Sequence, residues 1–181
     1  IASIAGDVPV VAFDSLSKAF LATGWRCGWM SLHGERLRGA FKAAASRLLD
    51  ARLCSPTPPQ FAVPVALEPG NVDLSGVVER LRERRDTTVR RLRAIPGIWC
   101  YEPEAAFYLM ARFENLGEGT DEQFVLDVLN EEGVLLVHGS GFGMRAGDGY
   151  MRIVYLPPVA TLEAAFDGLQ RVVDRWDYRI G

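Results

Sequence analysis

The sequence predicts an α/β protein built in two parts, and three observations predict it. Short apolar runs of strand length alternate with longer segments whose apolar residues recur at helical spacing. A break at Glu68-Pro69-Gly70-Asn71 divides the chain into residues 1–70 and 71–181. The second part carries its own strands and amphipathic helices, so it can bury a core by itself.

The elements follow in order. Residues 8–13 form a short continuous apolar run, read as a parallel strand of buried type that ends at a turn, and residues 27–32 form the next strand. Between Gly34 and about Leu53, the residues Leu37, Phe41, Ala44, Leu48 and Leu49 fall on one face of an amphipathic helix. Pro56, Pro58 and Pro59 then punctuate the chain before a short helix reaching about Leu67. Residues 73–94 hold the longest helical pattern, stopped by Pro96-Gly97. The second part reads as an α/β sandwich, with strands over 98–101, 107–113, 134–137 and 151–156. Thr120-Asp121-Glu122-Gln123 has capping-box spacing, with Thr120 as N-cap and Gln123 reaching back, ahead of a helix carrying Phe124, Val125, Val128 and Leu129. A closing amphipathic helix spans about 161–176.

Composition excludes several classes. The chain is 49% hydrophobic and 24% charged with a net charge of −3, which gives no bulk electrostatic case for nucleic acid or anionic lipid. Residues 79–93 hold seven arginines against three acids, but the acids interleave at helical spacing, as in Glu79-Arg82 and Asp86-Arg90. That pattern is a salt-bridged, solvated face or part of an interdomain helix. No apolar stretch approaches the roughly 20 residues that span a bilayer, and no signal-peptide pattern opens the chain. Cys27, Cys54 and Cys100 are odd in number, widely spaced and without a C-x-x-C pair. They argue for a reducing, cytoplasmic setting and against structural zinc.

The chemistry concentrates at Lys18. The chain has 18 arginines and only two lysines, Lys18 and Lys42, so a lysine placed at a turn after an apolar run is wanted for its amine. An amine condenses with an aldehyde and exchanges protons; a guanidinium does neither. Ser15 and Ser17 add short hydroxyl donors, and Arg26, eight residues on in Gly24-Trp25-Arg26-Cys27-Gly28-Trp29, adds a planar fork for phosphate. S-x-S-K alone recurs by chance on solvated loops. With the arginine and its glycine and tryptophan frame, the set points to pyridoxal 5'-phosphate, whose aldehyde meets the lysine while its phosphate is anchored nearby. Arg152 lies inside an apolar run, Met151-Arg152-Ile153-Val154, where an unpaired guanidinium is costly. Spacing alone leaves it equally a ligand-binding group, an exposed edge residue or the partner of a core acid.

Asp14-Ser15-Leu16-Ser17-Lys18-Ala19-Phe20 with Gly24-Trp25-Arg26-Cys27-Gly28-Trp29 resembles the cofactor-lysine segment of class I/II aminotransferases, fold-type I pyridoxal-phosphate enzymes. Further blocks follow in family order. Arg47-Leu48-Leu49-Asp50-Ala51-Arg52-Leu53-Cys54-Ser55 and Pro59-Gln60-Phe61-Ala62 resemble the segment after the lysine. Ala105-Ala106-Phe107-Tyr108, the run VLLVHGSGFG over 134–143, and Tyr150-Met151-Arg152-Ile153-Val154 resemble strands and a turn of the small domain. Arg52-Leu53-Cys54 and the run 152–157 are most similar to the alanine (glutamate–pyruvate) branch.

The resemblance implies that residues 1–70 are the C-terminal part of a cofactor-binding large domain. Residues 71–181 would be the small α/β domain with the long interdomain helix. It implies that Lys18 holds the cofactor and serves as base and acid, and that Ser15, Ser17 and Arg26 hold the phosphate. Arg152 would bind the α-carboxylate of an amino acid or 2-oxo acid, facing Lys18 across a cleft. A homodimer is implied, with no nucleic acid or membrane partner. Other cofactor contacts of the family belong to segments ahead of the lysine strand, so the expectation is the C-terminal part of a longer enzyme, inactive by itself. A pyridoxal-phosphate lyase, or an aminotransferase-like regulatory or binding domain, stays open. His138 is expected to line the cleft without doing chemistry, and His33 to be solvated. Tyr101, Tyr108 and Tyr155 are read as core or cleft wall.

Overall fold

The computed structural model describes residues 1–176 and divides the chain into two compact units, Ile1–Leu74 and the part from Ser75 onward.

In the first unit, β1 (Val10–Ser15) and β2 (Gly28–His33) pair as a two-stranded ribbon. The pairing is antiparallel, from Val10 opposite His33 to Ser15 opposite Gly28. This corrects the expected parallel strand: an antiparallel pair satisfies the ladder with its sequence neighbour through one connection, whereas a parallel pair needs a crossover element. Nor is the run buried, since Phe13 is 77% exposed on a ribbon of two strands. The expected 34–53 helix also contracts. A 3-10 turn at Glu35–Leu37 comes first, and α1 runs only over Ala40–Asp50. Gly39, with φ −90° and ψ −112°, separates the two. Its apolar stripe is uncovered within the unit, Leu48 and Leu49 both lying exposed. The prolines place α2 at Thr57–Leu67, beginning with Pro58 and Pro59 in the first turn, where a missing N–H leaves no helix bond unmade. Gly70 takes φ +90° in the break, and Asn71 Nδ2 donates to Val65 O at 3.0 Å to close the helix end.

The second unit opens with α3 (Ser75–Ala94). Its sheet has the order β3 (Ile98–Cys100), β4 (Tyr108–Phe113), β6 (Tyr150–Val154), β5 (Val137–His138), antiparallel throughout. β5 is shorter than the expected 134–137 strand and slides into the following turn. α4 (Asp121–Glu132) and α5 (Val159–Trp176) complete the unit. Alternation along the strands sends Leu109, Ala111, Phe113, Met151 and Ile153 to one face, where they pack with Val89 and Leu92 of α3, Phe124 and Val128 of α4, and Leu162, Phe166 and Leu169 of α5. All three helices therefore cover one face of the sheet. The other face presents Tyr108, Met110, Arg112, Tyr150 and Arg152.

The capping box forms by half. Thr120 Oγ1 accepts from Gln123 N at 3.1 Å, but the Gln123 side chain donates to Asp127 Oδ1 at 2.9 Å instead of reaching back. The charged Asp127 carboxylate one turn ahead draws the amide N–H, and this turns the side chain away from the Thr120 N–H that its Oε1 would accept in a full box. Of the α3 arginines, Arg85 pairs along its helix with Asp86 at 2.7 Å, whereas Arg90 meets Glu163 at 2.5 Å and Arg91 pairs with Glu163 and with Asp167 (2.5 Å), all on α5. Among the described residues, no helix is long and apolar enough to cross a membrane.

Candidate functional site

The lysine turn is built by backbone bonds at the open end of the ribbon. Leu16 N donates to Cys27 O at 3.0 Å, and Ala22 N donates to Leu16 O at 3.1 Å, so Leu16 ties both ends of a loop running from 16 to 27. Leu16 and Cys27 are the buried residues of this unit. Leu21 N donates to Lys18 O at 3.2 Å, which folds Lys18 onto a tight turn with its side chain on the exposed side. Ser15 Oγ accepts from Ser17 N at 3.2 Å, so the hydroxyl keeps its own proton for another acceptor. Opposite, a Cβ at Gly28 would stand 2.9 Å from Asp14 O and 3.3 Å from Ser15 Cβ, so only glycine lets the strands close there.

Arg26 closes the loop in the left-handed region, at φ +52° and ψ +42°, and its Nη1 donates to Thr23 O at 2.8 Å. A non-glycine residue held at positive φ is uncommon outside tight, overdetermined turns. Arg26 also lines a hollow of about 670 Å³ with Asp50, Arg52, Cys54 and Ser55. Ser17, Lys18 and Arg26 thus belong to one closed loop, and Ser15 ends the strand that leads into it. Their donor set of two short hydroxyls, a guanidinium and an amine is chemically matched to a phosphate-bearing aldehyde.

Arg152 sits in the second unit at mid-sheet, opposite Met110 of β4 and Val137 of β5. It is therefore not on an edge strand. No acid pairs with it among the described residues; its guanidinium carbon lies 4.4 Å from the Phe142 ring centroid and 5.4 Å from that of Tyr108. Its Nε is buried and has no hydrogen-bond partner. An arginine fixed by π faces keeps its planar N–H edge unspent, which suits a bidentate carboxylate.

Several residues around this point were not legible as site residues. Phe142 lies in a glycine-rich turn and Asp121 in a capping motif, whereas Tyr108, expected as core or cleft wall, stands on the open face of the sheet beside Arg152. The buried Asp121 carboxylate, 1% exposed, accepts from Ser140 N at 2.7 Å and from Ser140 Oγ at 2.9 Å. His138 Nδ1 lies 2.7 Å from the same Oγ. His33 is bonded to backbone, its Nε2 lying 2.8 Å from Gly6 O, not merely solvated. Tyr155 is core, donating to Ala106 O at 3.2 Å, and burial pushes its phenol up from the ordinary value. Tyr101 is 75% exposed and so is not part of the core of its unit.

Over residues 1–169 the chain matches aminotransferase class I and II, and it belongs to that family. It is 37% identical to a glutamate-pyruvate aminotransferase AlaA of Haemophilus influenzae over 99% of this chain and 45% of that protein. It is also 37% identical to an alanine aminotransferase of Mycobacterium tuberculosis, over 93% of this chain and 40% of the relative. Among solved structures, an alanine aminotransferase from Pyrococcus furiosus superposes with a TM-score of 0.88 at 40% identity, covering 96% of this chain and 44% of that one. The chain spans less than half the length of these relatives.

Proposed function

We propose that the complete polypeptide containing this chain is a pyridoxal-phosphate-dependent aminotransferase that exchanges an amino group between an L-amino acid, alanine in the first instance, and 2-oxoglutarate. The observation that supports the reading is the closed lysine loop, which carries Lys18 and Arg26 on one backbone-bonded turn in a chain of this family. The names of the relatives support alanine as the amino donor.

Ser15, Ser17 and Arg26 would hold the phosphate and Lys18 the reactive carbon. When bound, the cofactor supplies a ring that takes up the electron pair released at the substrate α-carbon. Lys18 then moves the proton at that carbon, as base in one direction and acid in the other. Arg152 binds the α-carboxylate through two parallel N–H···O bonds, and its stacking limits how far the bound group swings. Residues 1–70 act as the end of the cofactor-binding domain and 71–181 as the small domain. A cytoplasmic homodimer accompanies this reading; the exposed apolar groups of the first unit, Phe13, Leu48, Leu49 and Phe61, support a partner surface.

The test is turnover of alanine by the complete polypeptide. Lys18→Ala and Lys18→Arg should each lower kcat by about a thousandfold or more, the range lost with a proton-transfer group. Wild-type rates in either variant would refute the assignment. Turnover must also require the oxo acid, because a lyase consumes the amino acid without one.

A further inference from the structure

The turn Gly139–Phe142 passes round the β5 edge of the sheet, and its two ends serve opposite faces. His138 pairs with Met151, whose side chain is in the core, while Val137 pairs with Arg152 on the open face. On the helix side, both Ser140 donors end on the buried Asp121 carboxylate, at 2.7 and 2.9 Å. On the open side, two residues later, the Phe142 ring lies 4.4 Å from the Arg152 guanidinium carbon. Between them the turn is pressed against β6: a Cβ at Gly139 would stand 2.5 Å from Tyr150 Cβ and 2.9 Å from Tyr150 O. Little slack separates the Asp121 bonds from the position of the Phe142 ring.

The hydroxyl of Ser140 has one proton. It goes to the Asp121 carboxylate at 2.9 Å. His138 Nδ1, 2.7 Å from the same Oγ, accepts from Gly141 N at 3.2 Å and caps the turn, so the turn is held at Ser140 by Asp121 and at Gly141 by His138. Asp121 is the first residue of α4, where the helix terminus favours a negative charge and offsets part of its burial.

We propose that Asp121, acting through Ser140, is a positioning residue for Arg152: it fixes the turn that lays Phe142 on the guanidinium, and so sets the angle at which Arg152 meets a carboxylate. The proposal rests on the reading of Arg152 as the carboxylate-binding residue. An arginine aligned by acids would have its N–H groups occupied; one aligned by a ring keeps them, and the ring must then be held from elsewhere. Asp121 supplies that hold from the far side of the sheet without touching Arg152's donors.

The experiment uses the complete, cofactor-loaded polypeptide, with KM and kcat for amino acid and oxo acid. It adds the dissociation constant for propionate by NMR titration, a carboxylate with no amino or oxo group to react. Asp121→Ala threatens folding, so the test falls on Ser140 and Phe142. Ser140→Ala, which removes one bond to a carboxylate, should raise both KM values and the propionate constant about three- to tenfold, with kcat moving by less than about twofold. Ser140→Thr should restore binding, and Phe142→Leu should give the same split as Ser140→Ala. Unchanged KM and propionate binding in Ser140→Ala and Phe142→Leu, beside a large loss in Arg152→Ala, would overturn the positioning role and leave the functional reading standing. Unchanged propionate binding in Arg152→Ala would overturn both.

Discussion

Among the described residues of the first unit only Leu16 and Cys27 are buried, whereas the second unit closes a core from Val89 to Trp176 across three helices and three of its four strands. The unit with Lys18 is held mainly by local devices: a ribbon, a loop tied at Leu16, a left-handed Arg26, prolines opening a helix. The unit with Arg152 is held by burial, and Phe113, Phe124 and Trp176 pack ring against ring at its centre. The lysine loop is shaped by turn chemistry, whereas the mid-sheet Arg152 stands on a packed sheet.

The contrast is breakable by truncation. Phe124→Ala should destabilise the second unit by about 3–5 kcal/mol, because a fully buried ring is deleted from a closed core. Leu48→Ala, at a site 76% exposed, should cost no more than about 0.5 kcal/mol in this chain. Chemical denaturation of the two variants measures both, and equal losses would erase the distinction.

A smaller effect sharpens it. Thr120→Ala removes the side-chain acceptor for Gln123 N and should cost about 1 kcal/mol, with the loss confined to α4 in hydrogen exchange. Loss of protection spread evenly into β1 and β2 would mean that the two units unfold as one.

The smallest effect is a pH dependence in the second unit alone. Arg171 and Arg175 of α5 hold the Glu132 carboxyl down from 4.5 to about 2. A depressed carboxyl contributes stability above its unfolded value, and that contribution fades as pH falls from about 4.5 towards 2. Glu132→Gln should therefore flatten the decline in thermal midpoint over that window and change little at pH 7. A variant with the wild-type slope would contradict the pairing.

Much of this was legible in the sequence. Periodicity placed all five helices near their observed positions, and the odd lysine among arginines marked the loop. What failed did so for nameable reasons. Residues 8–13 read as a buried parallel strand because a continuous apolar run carries no information on strand direction or on what covers its faces. Gln123 followed a motif that the charge-assisted bond from its Nε2 to Asp127 overrode. The setting of Arg152 was the least legible part. Its aromatic neighbours come from Tyr108 and Phe142, one on the neighbouring strand and one beyond the β5 edge, and only sheet register brings them together. Ser140 was invisible for the same reason, since Asp121 lies 19 residues away in the chain.

The central claim is that Lys18, and not simply any accessible amine, is the cofactor lysine. The most direct measurement loads the complete polypeptide with pyridoxal phosphate, reduces it with borohydride and maps the modified residue by peptide mass spectrometry. A label on Lys18 with Lys42 unmodified is the predicted result. Equal labelling of both lysines, or a label at neither, would contradict it.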